Sequence, residues 1–112
     1  MIYWTTDATL LQVRNEREKQ DIKFGEQHHA LIDTGDSDSY WRAKARQQKI
    51  NNKNDALHET LTWQGILLEQ VYEFVEAAAR GDTDQAAVEL IQVAAVAVAA
   101  YEDLTWGEIK ND

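Results

Sequence analysis

A single carboxylate interrupts the most apolar stretch of this 112-residue chain. Residues 86–101 read AAVELIQVAAVAVAAY, in which Glu89 and Gln92 are the two strongly polar side chains. Because they are three residues apart, they project from one face of a helix, about 60° from each other. An isolated buried carboxylate is unfavourable unless it binds a proton, a partner or a metal ion. Glu89 is therefore the first candidate for chemistry.

The preceding helical segment offers polar groups that can face this carboxylate. They are Glu69, Gln70 and Glu73, which follow helical spacing. The short turn at Gly81–Asp82 would let two antiparallel helices bring the two sets of side chains together. Carboxylates on facing helices of a bundle hold hard divalent cations in known proteins. The sequence therefore predicts a shared cation pocket between these two helices.

The elements that must position these groups are all predicted to be helices. The chain contains no Pro and five Gly, and helix-forming residues dominate. We expect one all-α domain over residues 1–112, a four-helix-bundle-like fold in which helices 3 and 4 form the core. The first expected helix runs from a cap at Thr5, Thr6 or Asp7 to about Asp21, and the second covers Ser39–Lys49 after a cap at Asp38 or Ser39. The third covers Trp63–Arg80, and the fourth runs from a cap at Thr83 to about Leu104.

Local signals mark the helix ends and the connections between them. Gly25 and Gly81 are expected to end the first and third helices, and Thr62 is a good cap for the third. Residues 26–38 form a polar segment that indicates a loop. Residues 50–59, INNKNDALHE, have weak periodicity and indicate a mobile segment or a short irregular helix. Residues 28–61 are therefore expected to be partly loop or irregular helix.

Composition excludes several classes of function. The formal net charge of −9 repels nucleic-acid phosphates, which argues against DNA or RNA as a partner. Free nucleotides are compatible with this charge, because a metal ion can bridge two anionic partners. The absence of Cys excludes disulfides, thiolate metal sites and a cysteine nucleophile. The adjacent His28 and His29 lack the further ligands that a zinc site needs.

The apolar pattern bears on location and assembly. The first ten residues, MIYWTTDATL, have neither a basic start nor an apolar signal core, so we expect a cytoplasmic protein. The longest apolar run, residues 93–101, is too short to span a bilayer, so we expect no membrane insertion. The fourth helix is apolar nearly all round, which indicates that it is enclosed. Other copies of the chain are the simplest enclosure, so we expect a homodimer or homotetramer.

The acidic motifs resemble those of the MazG-like all-α nucleoside triphosphate pyrophosphohydrolases, whose signature is EExxE followed by ExxD. Here the first motif reads EQVYE from Glu69 to Glu73, the second reads ELIQ from Glu89 to Gln92, and 15 residues separate them. The segments VRNEREKQDIKFGEQHH, LTWQGILLEQVYEF and ELIQVAAVAVAAYE are similar to a small actinobacterial and phage-type branch of that family. They cover about half of the chain in the family's order.

The resemblance implies a helical oligomer that hydrolyses an NTP or dNTP to the monophosphate and pyrophosphate with magnesium, or with manganese in its place. In that family the carboxylates hold the metal ion, which lowers the pKa of the water that attacks the α-phosphorus. Carried over by position, the metal ligands are Gln70, Glu73, Glu89 and Gln92. Glu69 is the remaining acid and would orient the attacking water as a base. Two ligands are amides, which lowers the site from four formal negative charges to two and should weaken magnesium binding.

Four further residues are candidates for substrate contacts. Arg17 and Lys23 could bind a triphosphate tail, although i,i+4 ion pairing with neighbouring acids is the role that the pattern favours for most of the basic residues of this helix. Asp21 lies in the segment that resembles the family and could form a lid or an edge of the pocket. Trp63, at a helix start beside the acidic face, could stack on a nucleobase or serve as a packing anchor.

Two alternatives remain open at the level of sequence. The loss of two carboxylates is compatible with a catalytically weakened relative that binds a nucleotide without hydrolysing it. The apolar fourth helix is compatible with a purely structural helical oligomer, in which a subunit contact neutralises Glu89.

Overall fold

The computed structural model describes the backbone of residues 3–33 and 35–111 and the side chains of residues 5–33 and 35–105. These residues form four α-helices and no strand, so the predicted all-α class is confirmed. The helices are α1 (Tyr3–Phe24), α2 (Asp38–Leu57), α3 (Trp63–Ala79) and α4 (Thr83–Asn111). Within these described residues, none of the helices combines the length and the apolar character that crossing a bilayer requires.

The helices divide into two compact units. The first contains the described residues within 1–29 and 98–112, that is, α1 and the last part of α4. The second contains the described residues within 30–97, that is, α2, α3 and the first part of α4. All of the predicted metal-ligand positions lie in the second unit. The predicted phosphate contacts on α1 lie in the first.

In the first unit, hydrogen bonds between side chains join α1 to α4. The Thr6 hydroxyl donates to Glu102 Oε1 at 2.7 Å, and the Tyr101 hydroxyl donates to Gln12 Oε1 at 3.0 Å. Helix α1 begins at Tyr3, so the predicted caps at residues 5–7 are wrong. Those residues lie inside the helix, where the Thr6 hydroxyl donates to Glu102 of α4.

The end of α1 agrees with its sequence signal. Gly25 follows the helix with a φ of 69°, a left-handed conformation that glycine adopts without steric cost. Its N–H donates to the Asp21 carbonyl at 2.9 Å. The described part of residues 26–37 is not helical, which confirms the predicted loop there; Thr34 lies outside the described residues.

Helix α2 is longer than the sequence indicates. It continues through Leu57, so the predictions of an end at Lys49 and of an irregular segment after it are wrong. Its cap is Ser37, whose Oγ accepts from the Tyr40 N–H at 3.3 Å, and not Asp38 or Ser39. Asparagine has a low helix propensity, but tertiary packing overrides propensity when a segment is held against a neighbour.

The neighbour that holds α2 is α3, and the two helices run antiparallel. Near the start of α2, the rings of Trp41 and Tyr72 lie 6.2 Å apart between centroids. Near its end, the Asn52 amide donates to the Gly65 carbonyl at 3.0 Å. The second contact explains why the asparagine-rich half of α2 is helical, since Asn52 is buried against the first turn of α3.

The turn between α3 and α4 is built from two motifs that share one residue. Gly81, with a φ of 81°, and Asp82 close α3 by donating their N–H groups to Ala78 and Ala77 at 3.1 and 3.0 Å, which is a Schellman motif. The Asp82 carboxylate then accepts from the Gln85 N–H at 3.0 Å and caps α4. The predicted cap at Thr83 is wrong by one residue, because Thr83 is already the first residue of the helix.

Helix α4 also departs from two expectations. It continues to Asn111 and not to about Leu104. The sequence predicts that it is enclosed, yet within one chain its large apolar side chains are exposed: Val88 by 49%, Leu90 by 42% and Ile91 by 72%. Among the described side chains, the fully buried apolar ones are Ala77 of α3 and Ala86 of α4. The core between these two helices is therefore formed by small residues.

The shared role of Asp82 leads to a stability prediction. Replacing Asp82 with Ala removes the α4 cap and should lower the free energy of unfolding by about 1 kcal/mol. Thr83→Ala should lower it by less than about 0.5 kcal/mol, since Thr83 caps nothing. Asp82→Asn keeps a capping oxygen and should retain most of the stability. Urea denaturation at one fixed protein concentration measures all three, and equal losses for Asp82→Ala and Thr83→Ala would contradict the assigned cap.

Candidate functional site

The turn between α3 and α4 brings Glu73 and Glu89 together. Glu73 lies eight residues before Gly81 and Glu89 lies eight residues after it. At 1.5 Å per residue, both side chains sit about 12 Å from the turn, at the same level of an antiparallel helix pair. The Glu89 carboxyl group lies close enough to Glu73 to raise the pKa of Glu73, both through its charge and through a contact between the two side chains. Such a contact is a hydrogen bond only when one of the two carboxyl groups carries a proton.

Glu89 is the more deeply buried member of this pair, with 8% of its surface exposed. Its Oε1 accepts from the Gln85 side-chain amide at 2.8 Å, one turn earlier on α4. Its Oε2 is buried and receives no hydrogen bond from any described residue. A buried carboxylate oxygen without a donor is unfavourable, so a hydrogen-bond donor or a cation at this position would be stabilising.

The protonation of Glu73 reflects the same crowding. Burial raises the pKa of Glu73 above its ordinary value, and the negative charges of Glu89 and Glu69 raise it further. The positive charge of Lys49 acts in the opposite direction, and the contact with Glu89 adds to the rise. The carboxylates of Glu69 and Glu89 and the ammonium group of Lys49 thus all act on the Glu73 carboxyl group. The site favours the binding of positive charge.

Glu69 is held by a chain of amides from α2. The Asn52 Nδ2 donates to Glu69 Oε1 at 2.9 Å and to the Gly65 carbonyl at 3.0 Å. The Asn52 Oδ1 in turn accepts from the Gln48 amide at 3.0 Å. Glu69 is therefore fixed at one oxygen by a neutral donor, while its charge acts on the neighbouring Glu73.

The two amide positions of the predicted ligand set differ from each other. The side-chain oxygen of Gln70 is buried and receives no hydrogen bond from the described part of the chain. Gln92 is exposed on α4, one turn beyond the buried Glu89. Of the four predicted ligands, the structure brings Glu73 and Glu89 into contact, leaves an oxygen of Gln70 without a donor, and turns Gln92 towards solvent.

The predicted substrate contacts on α1 are engaged locally. Arg17 donates to Gln20 and to Asp21, both at 2.9 Å, and the Lys23 ammonium lies 5.1 Å from the centre of the Phe24 ring. The Arg17–Asp21 pair is the i,i+4 ion pair that the sequence indicates as the alternative role, whereas Lys23 contacts an aromatic ring. Arg17, Asp21, Lys23 and Phe24 are exposed, so these pairs contribute little to stability.

Trp63, the predicted stacking residue, is the first residue of α3. It follows the Thr62 cap, as the sequence indicates, and is 39% exposed. A groove of about 420 Å³ opens between the end of α2 and the start of α3, and its lining residues are Gln48, Asn51, Asn54, Asp55, Thr62, Gln64, Gly65 and Leu68. One of the lining residues, Leu68, directly precedes Glu69 in the sequence, and half of the lining side chains are amides.

Sequence reasoning missed the contribution of α2 to the site. Lys49 is the last residue of the predicted second helix and Asn52 lies in the segment predicted to be irregular, so their common face could not be inferred. One signal was present. Glycine inside a helix is destabilising by about 1 kcal/mol relative to alanine, and Gly65 in the first turn of α3 therefore indicates a close approach by another element.

Known proteins provide no independent assignment of this site. No protein-family model, curated protein or solved structure matches the chain. Within the described residues, no three histidine or acidic side chains converge as a ready-made metal site. The features of this chain that bear on function are therefore the carboxyl pair, the atoms around it and the motif resemblance.

The raised pKa of Glu73 leads to a pH prediction. A carboxyl group with a raised pKa binds its proton more tightly in the folded state, so the folded state loses stability as pH rises from the ordinary value of 4.5 through the raised pKa. Without divalent metal, Glu73→Gln should therefore raise the free energy of unfolding at pH 7 by less than about 1 kcal/mol after solvent screening. The gain should disappear near pH 4, where both states are protonated.

Urea denaturation between pH 4 and pH 7 measures this difference. Glu76→Gln is the matched control on the same helix, because Glu76 forms ion pairs with Arg42 at 3.5 Å and with Arg80. It should give no gain at pH 7. If Glu73→Gln raised the free energy of unfolding equally at pH 4 and at pH 7, burial and repulsion of the charged Glu73 would not be the cause of the gain.

Proposed function

We propose that this chain is a MazG-like nucleoside triphosphate pyrophosphohydrolase that releases pyrophosphate from an NTP or dNTP with magnesium. The observation that carries the proposal is the contact between the Glu73 and Glu89 carboxyl groups, with the buried Glu89 Oε2 left without a donor. Glu73 is the last residue of the first motif that resembles the family, and Glu89 is the first residue of the second. A structural ion pair does not explain them, since both members carry the same charge.

The residues present fit a magnesium ion of the kind that accompanies a nucleotide. Magnesium in phosphate-transfer sites keeps several waters and is bound by one or two carboxylates together with the phosphates of the substrate. Glu73 and Glu89 would supply those carboxylates, and the Gln70 oxygen that lacks a donor would accept a hydrogen bond or act as a neutral ligand. When bound, magnesium neutralises charge on the triphosphate and acidifies the water that attacks the α-phosphorus.

The other residues of the second unit have separate parts in this proposal. Glu69, held at Oε1 by Asn52, orients the attacking water and accepts its proton. Lys49, whose charge acts on Glu73, binds a phosphate oxygen once the acids are neutralised by the cation. The amide-lined groove beside Glu69 provides room for the nucleoside.

We also propose that the chain functions as a homodimer or homotetramer with a MazG-type bundle. A single chain buries few apolar side chains completely, while Val88, Leu90 and Ile91 of α4 are exposed. Exposed apolar surface of this kind on a helix favours association, and a second copy of the same helix is a complementary partner. The fourth helix would then be enclosed, as its sequence predicts.

One observation favours a second candidate function, the binding of a nucleotide without hydrolysis. Gln70 brings no charge and Gln92 is exposed, so two carboxylates, not four, are available to hold the metal ion. A lower charge weakens magnesium binding and leaves the attacking water less acidic. Such a relative would retain affinity for the nucleotide while losing turnover.

The catalytic proposal predicts specific losses and one gain. The purified chain should release pyrophosphate from at least one NTP or dNTP when magnesium or manganese is present. Glu73→Gln and Glu89→Gln should each lower kcat/KM by at least about 100-fold, because each removes a charge that holds the metal ion. Gln70→Glu should raise kcat/KM by restoring a third carboxylate. Pyrophosphate release, followed across the eight common nucleotides, measures these effects.

The controls separate the candidate functions. Glu18→Gln removes an exposed acid of α1 that pairs with Arg14 and should leave turnover unchanged. Magnesium should raise the melting temperature of the unaltered chain but not of Glu73→Gln. Nucleotide binding without magnesium and without pyrophosphate release would support the non-catalytic relative. The absence of both binding and turnover would reject both candidates and leave a structural oligomer.

The molecular mass of the particle in solution tests the proposed homodimer or homotetramer. Sedimentation equilibrium should give two or four chains per particle for the unaltered protein. Ile91→Arg should shift the protein to smaller species and lower its stability, because it places a charge on the apolar face of α4. Leu57→Arg is the control, since Leu57 is 83% exposed at the end of α2. A monomeric mass for the unaltered chain at micromolar concentration would overturn the proposed assembly.

A further inference from the structure

A chain of three amide contacts links α2 to the acidic site. Gln48 donates to Asn52 Oδ1 at 3.0 Å, and Asn52 Nδ2 donates to Glu69 Oε1 at 2.9 Å and to the Gly65 carbonyl at 3.0 Å. Asn52 is 8% exposed, and both N–H groups and its oxygen are used. We propose that Asn52 is a positioning residue that fixes Glu69 for the reaction. This inference rests on the function proposed above.

The surroundings of Asn52 determine which way its amide points. The oxygen faces the donor of Gln48, and the nitrogen faces two acceptors, the Gly65 carbonyl and the Glu69 carboxylate. Reversing the amide would oppose oxygen to oxygen at two contacts and nitrogen to nitrogen at one. Glu69 therefore meets a donor in a single orientation, as a residue that must orient a water requires.

The neutral charge of Asn52 suits this role. A lysine or arginine at the same place would pair with Glu69 and reduce its tendency to accept a proton. An amide restricts the carboxylate to one rotamer without adding a counter-charge. The positive charge that does act on this cluster, that of Lys49, acts on Glu73.

Gly65 leaves the space that the Asn52 side chain occupies. A Cβ atom built on Gly65 would lie 2.5 Å from Asn52 Oδ1, a distance that forces Asn52 to move. The Gly65 N–H also donates to the Thr62 cap at 3.0 Å, so its backbone cannot easily retreat. A glycine in the first turn of α3, although unfavourable for a helix, is therefore what allows Asn52 to reach Glu69.

A double-mutant cycle tests whether Asn52 acts through Glu69. Asn52→Ala should lower kcat by about 10- to 100-fold and change KM by less than about threefold, because orientation and not binding is lost. In a Glu69→Gln background the same replacement should lower kcat by less than about twofold. Asn52→Asp keeps the size and the Oδ1 atom but loses the donor, and should match Asn52→Ala. Gln47→Ala, which removes an exposed pair with Asn51, should leave kcat unchanged.

A second readout separates positioning from a structural role. The same cycle measured by urea denaturation without metal or nucleotide reports the coupling of Asn52 and Glu69 in the folded state. Gly65→Ala should reproduce the loss of kcat although every functional group of the site is retained. Coupling in stability with additive losses in kcat would overturn the inference and leave the proposed function intact. An unaltered chain without turnover would overturn both.

Discussion

The contact between the carboxyl groups of Glu73 and Glu89 is the constraint on which the second unit depends. Two neighbouring negative charges repel more strongly as water is excluded, and Glu89 is almost completely buried. Burial and then the charge of Glu89 raise the pKa of Glu73, so a proton or a cation beside Glu73 relieves the repulsion between the two acids. A sequence that served stability alone would place an apolar residue at position 89.

The short turn between α3 and α4 sets the register of this contact, and much of it could be predicted from the sequence. Gly81 ends one helix because its left-handed conformation is local, and Glu89 stands out because its apolar neighbours predict burial. The spacing of the two acids about the glycine then predicts that they meet. The cap was misplaced by one residue, since Asp82 and Thr83 are both good caps and a helix start is uncertain by about one position.

The part of the site that could not be predicted comes from α2. The end of that helix is rich in asparagine, which has low helix propensity, and local reasoning therefore predicts an irregular segment. The segment is helical because Asn52 is buried against Gly65, a contact between residues thirteen apart that single-residue propensities do not contain. Once that helix is continuous, Lys49 and Asn52 share a face and reach two different acids, Glu73 and Glu69.

Helix α4 links assembly to the chemistry of the site. One side of it carries the buried Glu89 and Ala86, and another carries the exposed Val88 and Ile91. In the proposed oligomer a second copy covers the exposed side and removes water from the helix. The effective dielectric around Glu89 then falls, the repulsion from Glu73 increases, and binding a cation between them becomes more favourable. Linkage is reciprocal, so the cation in turn favours the assembled state.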